Sequence, residues 1–518
     1  MKEERVDKAG QGGLGKMHQL FGGRMDATYP QSWSVQPLGD VMDIQGGSQP
    51  PKSEFIYQPH EDYIQLLQIR DFGEKPVPTY VKKNRVTKFC TKDDVLIARY
   101  GASLGRILTG LEGAYNVALA KTIFDKRLFF SKYIFYLLQT SVLQLPLKMI
   151  SRSAQNGFAK HEIAHARLPI PPLNEQHRIV SKIEELFSEL DSGLENLKTA
   201  REQLKVYRQA LLKHAFEGKL TAQWRAENQG KLETAEALLK RIQQERVQRY
   251  QQQLADWEAA GKQGSKPKAP KPLPPLTAEE LAELPELPKG WAWVRLLEAC
   301  EAVVDCHNKT APYQATGIPL VRTPSIRDMK LNFDDAIRYV SQETYEYWSR
   351  RCPPLPGDIL FTREAPMGEA ALIPEGKMLC MGQRIMLLRP GKFLSGEYLL
   401  SATQNPIFKK VADKVAVGTG VKHLRVGDVE RLVFPLCSVS EQNEIANQLD
   451  ALISETDQLD QTIVTSLQQA EALRQSILKK AFSGQLVPHD PHDEPASKLL
   501  ERIKAEKSAQ PNTKKVRT

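Results

Sequence analysis

The stretch RQALLKHAFEGKL, Arg208 to Leu220, is written a second time as RQSILKKAFSGQL, Arg474 to Leu486. The two agree at Arg208/Arg474, Gln209/Gln475, Leu212/Leu478, Lys213/Lys479, Ala215/Ala481, Phe216/Phe482, Gly218/Gly484 and Leu220/Leu486. Upstream at the same offset, Pro169, Glu175, Gln176 and Ile179 are answered by Pro435, Glu441, Gln442 and Ile445. Further back, Trp33 and Leu38 face Trp291 and Leu296, and downstream EALLKRIQQER from Glu236 echoes SKLLERIKAEK from Ser497. A period of about half the chain is far longer than a solenoid repeat, so this is a tandem of whole domains.

After Glu175, positions spaced four and three apart read Ile179, Ile183, Leu186, Leu190, Gly193, Leu197, Ala200, Leu204, Tyr207 and Leu211. The matching set after Glu441 reads Ile445, Leu449, Leu452, Thr456, Leu459, Ile463, Ser466, Ala470, Leu473 and Ile477. An a/d seam over about five heptads in each copy predicts long helices packed as a coiled coil, each ended by its glycine, Gly218 or Gly484. Gly193, Thr456 and Ser466 weaken the seam and are candidates for fixing its register. Each domain leads into the N-terminal end of its own helix, so antiparallel pairing would set the two domains at opposite ends. A helix of about 44 residues would be roughly 66 Å long.

The stretches 30–173 and 290–438 mix short β-branched and aromatic runs with helical segments, which predicts an α+β domain in each. Around them the sequence predicts a flexible extension at 1–29, the long helices within 174–221 and 439–487, and a charged helix with a Pro-rich linker at 222–289. That linker is expected to stay extended and solvated. A C-terminal tail is expected at 488–518, ending in the basic, disordered TKKVRT. Of the 518 residues, 71 are Lys or Arg against 62 Asp or Glu, a net charge of +9 that favours a polyanionic partner. There is no apolar run of membrane-spanning length and no apolar core of a signal peptide near the start, so a cytoplasmic location without membrane contact is expected. Six cysteines without a CxxC pair read as reduced, packed thiols. Cys300, Cys306 and His307 lack the fourth ligand and spacing of a metal site.

Four doubled features together resemble one known family. They are the entries Trp33…Asp40 and Trp291…Glu298, the strand-turns LIARYGASLG and LFTREAPMG, the Pro-x5-Glu-Gln helix starts and the LLKxAFxGxL helix ends. From about Pro30 to Lys507 the chain resembles the specificity subunit of type I restriction-modification systems. The resemblance implies an α+β architecture of two similar DNA-recognition domains, each followed by a long helix, the two helices forming an antiparallel coiled-coil spacer. It implies double-stranded DNA as ligand, read as a bipartite asymmetric site. It also implies two methylation subunits that bring S-adenosylmethionine, and restriction/translocase subunits that bring ATP and Mg.

Catalysis by this chain finds little support in its residues. GQGGLGKM, Gly10 to Met17, nearly completes a phosphate-binding loop, but Met17 stands where a magnesium-binding hydroxyl is needed. Asp358, Glu375 and Lys377 suggest a nuclease set, yet the mate Asp94 is followed by no such lysine, and surface charge is the favoured reading. The Pro-Pro pairs precede Leu173, Leu276 and Leu355 rather than the aromatic residue of an amino-methyltransferase loop. No catalytic residue, bound metal or cofactor is therefore expected here.

For DNA contact, the first domain offers Lys82, Lys83, Arg85, Lys88, Lys92, Arg99 and Arg106 with Tyr80 and Tyr100 interleaved, a pattern that suits phosphate neutralisation. The plainer reading is a solvated edge strand guarded by lysines. Arg99 and Arg363 occupy matching strand-turns, and their shared identity favours a positioning role. Lys160-His161 and Lys422-His423 follow Gly157 and Gly420 and are candidate phosphate clamps, against a reading in which both histidines pack at the helix start. Asn116 with Lys121, and Gln383 with Arg384, are candidate base readers where the domains differ. The alternative function is a coiled-coil scaffold with two protein-binding heads and no nucleic acid, which lacks a steep salt dependence of binding.

Overall fold

The structure is a computed structural model that describes residues 29–151, 157–307, 309–333 and 337–509. The expected extension before Tyr29 and the basic TKKVRT end lie outside the described residues. The chain divides into two compact units: residues up to Leu197 together with those from Thr465 onward, and Lys198–Val464. The division falls inside each long helix, so each unit draws on both sequence repeats.

In the first unit, β1 (Ser34–Pro37) pairs antiparallel with β10 (Arg167–Ile170) and closes the domain on itself. One sheet runs β2 (Met42–Gly46), β9 (Leu119–Phe124), β6 (Leu96–Ala98), β7 (Ile107–Leu108). A second runs β4 (Tyr80–Lys82), β3 (Tyr63–Leu67), β8 (Gly113–Tyr115), β5 (Phe89–Cys90). All three residues of β6 are buried, as are those of β8, so these strands read as continuous apolar runs covered on both faces. The main core gathers Trp33, Phe129, Tyr133 and Ile183 with Leu478, Ala481 and Phe482 from the end of the other repeat's helix.

The second unit repeats the plan. The closing pair is β11 (Ala292–Arg295) with β21 (Val433–Leu436). One sheet runs β12 (Ala302–Asp305), β20 (Ile385–Arg389), β17 (Ile359–Thr362), β18 (Ala370–Leu372). Another runs β16 (Arg338–Val340), β13 (Ile318–Val321), β19 (Cys380–Met381). The parallel pairing of β3 with β8 recurs between β13 and β19. The domains differ at the rim: the second has a small hairpin, β14 (Ile326–Arg327) with β15 (Lys330–Leu331), and a helix, Gln342–Ser349, where the first has a single turn, Lys83–Arg85.

The long helices span Leu173–Phe216 and Val439–Phe482, 44 residues each. Their ion pairs run in opposite senses: Asp191 with Arg474, Arg201 with Asp460, Arg208 with Asp457. The helices therefore pack antiparallel, and the Arg474 and Arg208 pairs are repeat equivalents. The expected seam is followed at Ile183, Thr456, Ile463, Ala470 and Ile477, which are buried. It fails at Tyr207, Leu459 and Leu473, which are 47%, 48% and 51% exposed. A straight α-helix drifts about 20° per heptad from a 3.5-residue repeat, and the neighbouring Arg208, Asp460 and Arg474 turn inward in their place to make the ion pairs.

The repeated helix end that opened the sequence docks on the other repeat's domain. Phe216 meets Tyr398 and Phe482 meets Tyr133, each at 5.2 Å between ring centroids. Both helix-ending glycines take positive φ, +69° at Gly218 and +76° at Gly484, which relieves the last carbonyls in a left-handed cap. A Cβ on Gly218 would lie 2.3 Å from the Pro288 ring, and one on Gly484 2.6 Å from the Pro30 ring. Two constraints thus select glycine at each site, and the matching prolines come from the opposite repeat.

One expectation is refined and two change. The Pro-rich linker is extended and mostly exposed as expected, but it is also anchored: Leu273 packs on the core, Lys271 pairs with Glu430 at 2.5 Å, and buried Arg295 donates to the Pro274 carbonyl and to Glu280. The tail carries a helix, Ala496–Ala509, whose Leu500 and Ile503 enter the first unit's core and whose Ala496 amide donates to the Ser32 carbonyl at 3.0 Å. Its repeat mate, Ala235–Ala259, makes the same bond from Ala235 to Gly290 at 2.8 Å. Asp358 is not surface charge: it is 2% exposed and takes Arg389 bidentately at 2.8 and 2.6 Å. A buried carboxylate needs such a partner.

Candidate nucleic-acid interface

Each domain is seated on its helix by the Glu-Gln pair of the repeat. Trp33 Nε1 donates to buried Glu175 at 3.0 Å, and Trp291 Nε1 to buried Glu441 at 2.9 Å. Gln176 accepts from the Phe130 amide and donates to the Leu128 carbonyl; Gln442 does the same with Ser395 and Cys437. Both carboxylates also receive a group from the opposite repeat. His489 Nδ1 lies 2.8 Å from Glu175, whereas Arg225 and Thr221 donate to Glu441 at 2.7 and 2.9 Å. These residues position the domains, and the sequence reading missed that role.

The rim of the first domain scatters its expected cations. Lys82 is exposed at the end of β4, Lys88 is half-buried and Lys92 is exposed. Lys83 donates to the Glu61 carbonyl at 2.8 Å, and Arg85 is forked onto Glu54 at 2.8 and 2.7 Å, which holds that carboxyl below its usual range. Arg106 is exposed and donates to the Phe72 carbonyl at 3.1 Å. Lys160 pairs with Asp43 at 2.5 Å, and His161 is exposed rather than packed at the helix start. Two candidate base readers face inward. Asn116 is buried and accepts from the Ala118 amide at 3.1 Å, an Asx-type turn. Lys121 is tied to Asp94 and to the Phe89 carbonyl, both at 3.0 Å.

Arg99 and Arg363 make equivalent contacts. Arg99 reaches the Phe158 carbonyl at 3.4 Å, and Arg363 reaches the carbonyl of the repeat mate Leu424 at 3.0 Å. Each guanidinium holds the segment that leads back to the closing strand.

In the second domain the expected residues converge. The Arg363 amide donates to the Arg384 carbonyl at 2.8 Å, Arg384 pairs with Glu364 at 3.2 Å, and Glu364 bridges antiparallel to His423. Gln383 is half-buried beside exposed Arg384, whose φ of +68° places it in the left-handed region. Lys422 pairs with Asp413 at 2.7 Å, and half-buried His423 exchanges both backbone hydrogen bonds with Val417. Three loops thus bring Arg363, Gln383, Arg384 and His423 to one edge, an arrangement suited to phosphate and base-edge contact.

Next to that edge the sequence reading missed a ring cluster, His307 with Tyr347 and Trp348, under Arg350. Its signal was the dense run TYEYWSRR, Thr344 to Arg351. The cysteines offer no reactive thiol: all six are free and buried, and burial pushes Cys300 and Cys380 up to about 12. Among the described residues no group of three or more His, Cys, Asp or Glu is placed to hold a metal ion.

A family model for the type I restriction modification DNA specificity domain matches residues 30–199 and 288–469, more than half of the chain. The EcoKI specificity subunit of Escherichia coli K12 is 24% identical over 511 residues, covering 93% of this chain and 96% of its own. The EcoBI specificity subunit of Escherichia coli is 22% identical over 495 residues, covering 92% and 93%. A solved chain from work on complex assembly and conformational transition of the type I R-M system superposes with a TM-score of 0.62. It is 18% identical and covers 88% of this chain and 99% of that one, a likeness of fold.

Proposed function

Given that the chain belongs to the family of type I restriction modification DNA specificity domains, we propose that each of its two domains reads one half of a bipartite, asymmetric duplex site. The protein is the specificity subunit of a type I restriction-modification system, and its task is DNA recognition. The single observation that supports the two-half reading is duplication with local divergence. The closing strands, the Trp–Glu seats and the helix ends match between repeats, while the rims differ in their turns, hairpin and helix.

In this reading the exposed cations Lys82, Lys83, Arg106, Lys160 and Lys422, with half-buried Lys88, face phosphates, while Gln383 and Arg384 face base edges. Arg99 and Arg363 position the segments behind them. Two methylation subunits and the restriction/translocase subunits carry the chemistry, with S-adenosylmethionine, ATP and Mg, and this chain binds none of them and catalyses nothing. The assembly works in the cytoplasm. Among the described residues, no helix is long and apolar enough to cross a membrane.

The test is exchange of residues 30–173 for the matching domain of another specificity subunit, with the methylated motif read from genomic DNA. The expected outcome is a change in one half of the motif and retention of the other. A simultaneous change in both halves would refute modular reading.

A further inference from the structure

The helix Gln342–Ser349 and the residues after it build a cluster that has no counterpart among the described residues of the first domain. The rings of His307, Tyr347 and Trp348 lie 4.8 to 5.4 Å apart between centroids, and the Arg350 guanidinium sits 4.1 Å from the Tyr347 centroid. Tyr347 is 47% exposed, and Arg350 and Lys309 are exposed. In the first domain, the position after β2 holds Gly47 and Ser48, and the turn after β4 commits Arg85 to Glu54.

Two polar atoms of the cluster, His307 Nδ1 and Trp348 Nε1, are shut from solvent without a hydrogen-bond partner. Such groups are costly to leave unpaired and mark places where a structure serves something besides stability. Burial, then Arg350, Lys309 and Arg351, hold the His307 imidazole below its ordinary value, a sign of a positive local field. The carboxylate that opposes this field, Asp305, is already engaged by Arg351 at 2.7 Å.

The chemistry of the occupant follows. An aromatic cage alone would suit a cation, but the surrounding charge repels one. An exposed guanidinium centred 4.1 Å from a tyrosine ring suits an anion, and that contact holds its donor fork in place before any ligand arrives. The cluster also continues the edge described above, because the Cys306 amide donates at 3.2 Å to the carbonyl of Ile385, the residue after Arg384.

We propose that Arg350, braced on Tyr347 with Lys309 beside it, is a DNA contact of the second domain alone and a determinant of specificity at that domain's half-site. This rests on the DNA-recognition reading, and the two can fail separately. The full-length chain, with whatever subunits copurify, is used to select from duplexes with a randomised core. The wild type is compared with Arg350→Gln, Tyr347→Ala and Tyr347→Phe, and binding to the selected duplex is then followed against salt.

Arg350→Gln and Tyr347→Ala are expected to relax one half of the selected motif, weaken binding roughly tenfold, and flatten the salt dependence by about one released ion. Tyr347→Phe, which keeps the brace, should select as the wild type does. Unchanged motif and salt slope in Arg350→Gln, or equal loss at both halves with an unchanged melting temperature, would overturn the proposal. If Tyr347→Ala melts early, Arg350→Gln, an exposed substitution, decides. Failure of the wild type to enrich any sequence would instead count against the DNA reading itself.

Discussion

The two buried glutamates that seat the domains are alike in every respect but one. Glu175 and Glu441 each lie in the first turn of a long helix and each accept an indole N–H, yet the group arriving from the opposite repeat is an imidazole in the first unit and a guanidinium with a hydroxyl in the second. A guanidinium is always charged and forks to several acceptors, whereas His489 turns one of its two ring nitrogens to Glu175. Arg225 uses its fork: it also donates to the Gly218 carbonyl at 2.6 Å and lies over the Trp291 ring at 5.5 Å. Duplication has therefore preserved the carboxylate and its indole while letting the counter-group drift, and the second unit is the more tightly tied.

The comparison breaks most readily at the glutamates. Glu441→Ala strands Arg225, whose side chain is only 19% exposed, and should cost about 3–5 kcal/mol. Glu175→Ala leaves an indole and a half-exposed imidazole and should cost about 2 kcal/mol. Hydrogen exchange of each domain, read unit by unit, separates the two, and equal losses would show that the counter-group does not matter.

A symmetric pair of changes sharpens the likeness instead. Gly218→Ala and Gly484→Ala each force a side chain into positive φ and against a proline ring, at about 2 kcal/mol apiece. Denaturant unfolding should find the two penalties within a fraction of each other. A large difference would mean that the two helix ends are not docked alike.

The smallest effect lies along the helices. Arg201 and Asp460 form an ion pair in the second unit, and the repeat-equivalent positions in the first are Leu194 and Leu467. The hydrogen bond from Arg201 holds the Asp460 carboxyl below its ordinary value. Its stabilisation is therefore present above the unfolded value and is lost as pH falls through the lowered one. Both partners are more than a third exposed, so the loss should stay well under ~1 kcal/mol. Acid titration of wild type against Arg201→Leu checks it: the variant should lose less stability between neutral pH and pH near 3.

The doubled architecture was legible because periodicity and repetition are properties of sequence alone: the Glu-Gln starts and the glycine ends appear as written, and the heptads hold at Ile183, Ile463 and Ile477 but give way at Tyr207, Leu459 and Leu473. The docking of each helix end on the other repeat's domain was not, since Phe216 carries nothing that distinguishes Tyr398 from Tyr133. The rim was legible only in part. Arg85 and Lys121 look alike as basic residues, but whether a cation faces solvent depends on carboxylates such as Glu54 and Asp94, which lie 31 and 27 positions away. Asn116 shows the same limit, because its turn-forming bond buries the amide that composition marks as a reader.

The different make-up of the two units also sets an order of events during synthesis. The second unit is one unbroken stretch of chain, and its glutamate waits for nothing: Arg225 has emerged long before Glu441, which it pairs across 216 positions. The first unit is split, and Glu175 meets His489 only after 314 further residues. At about 5–20 residues per second that delay is roughly 15–60 s. For that interval the nascent first domain carries a carboxylate that has the Trp33 indole but not yet its His489 partner, and an apolar patch at Trp33 and Tyr133, awaiting Phe482 and the helix beyond. The domain made first is completed last, and it is the one a ribosome-bound chaperone would have reason to shield.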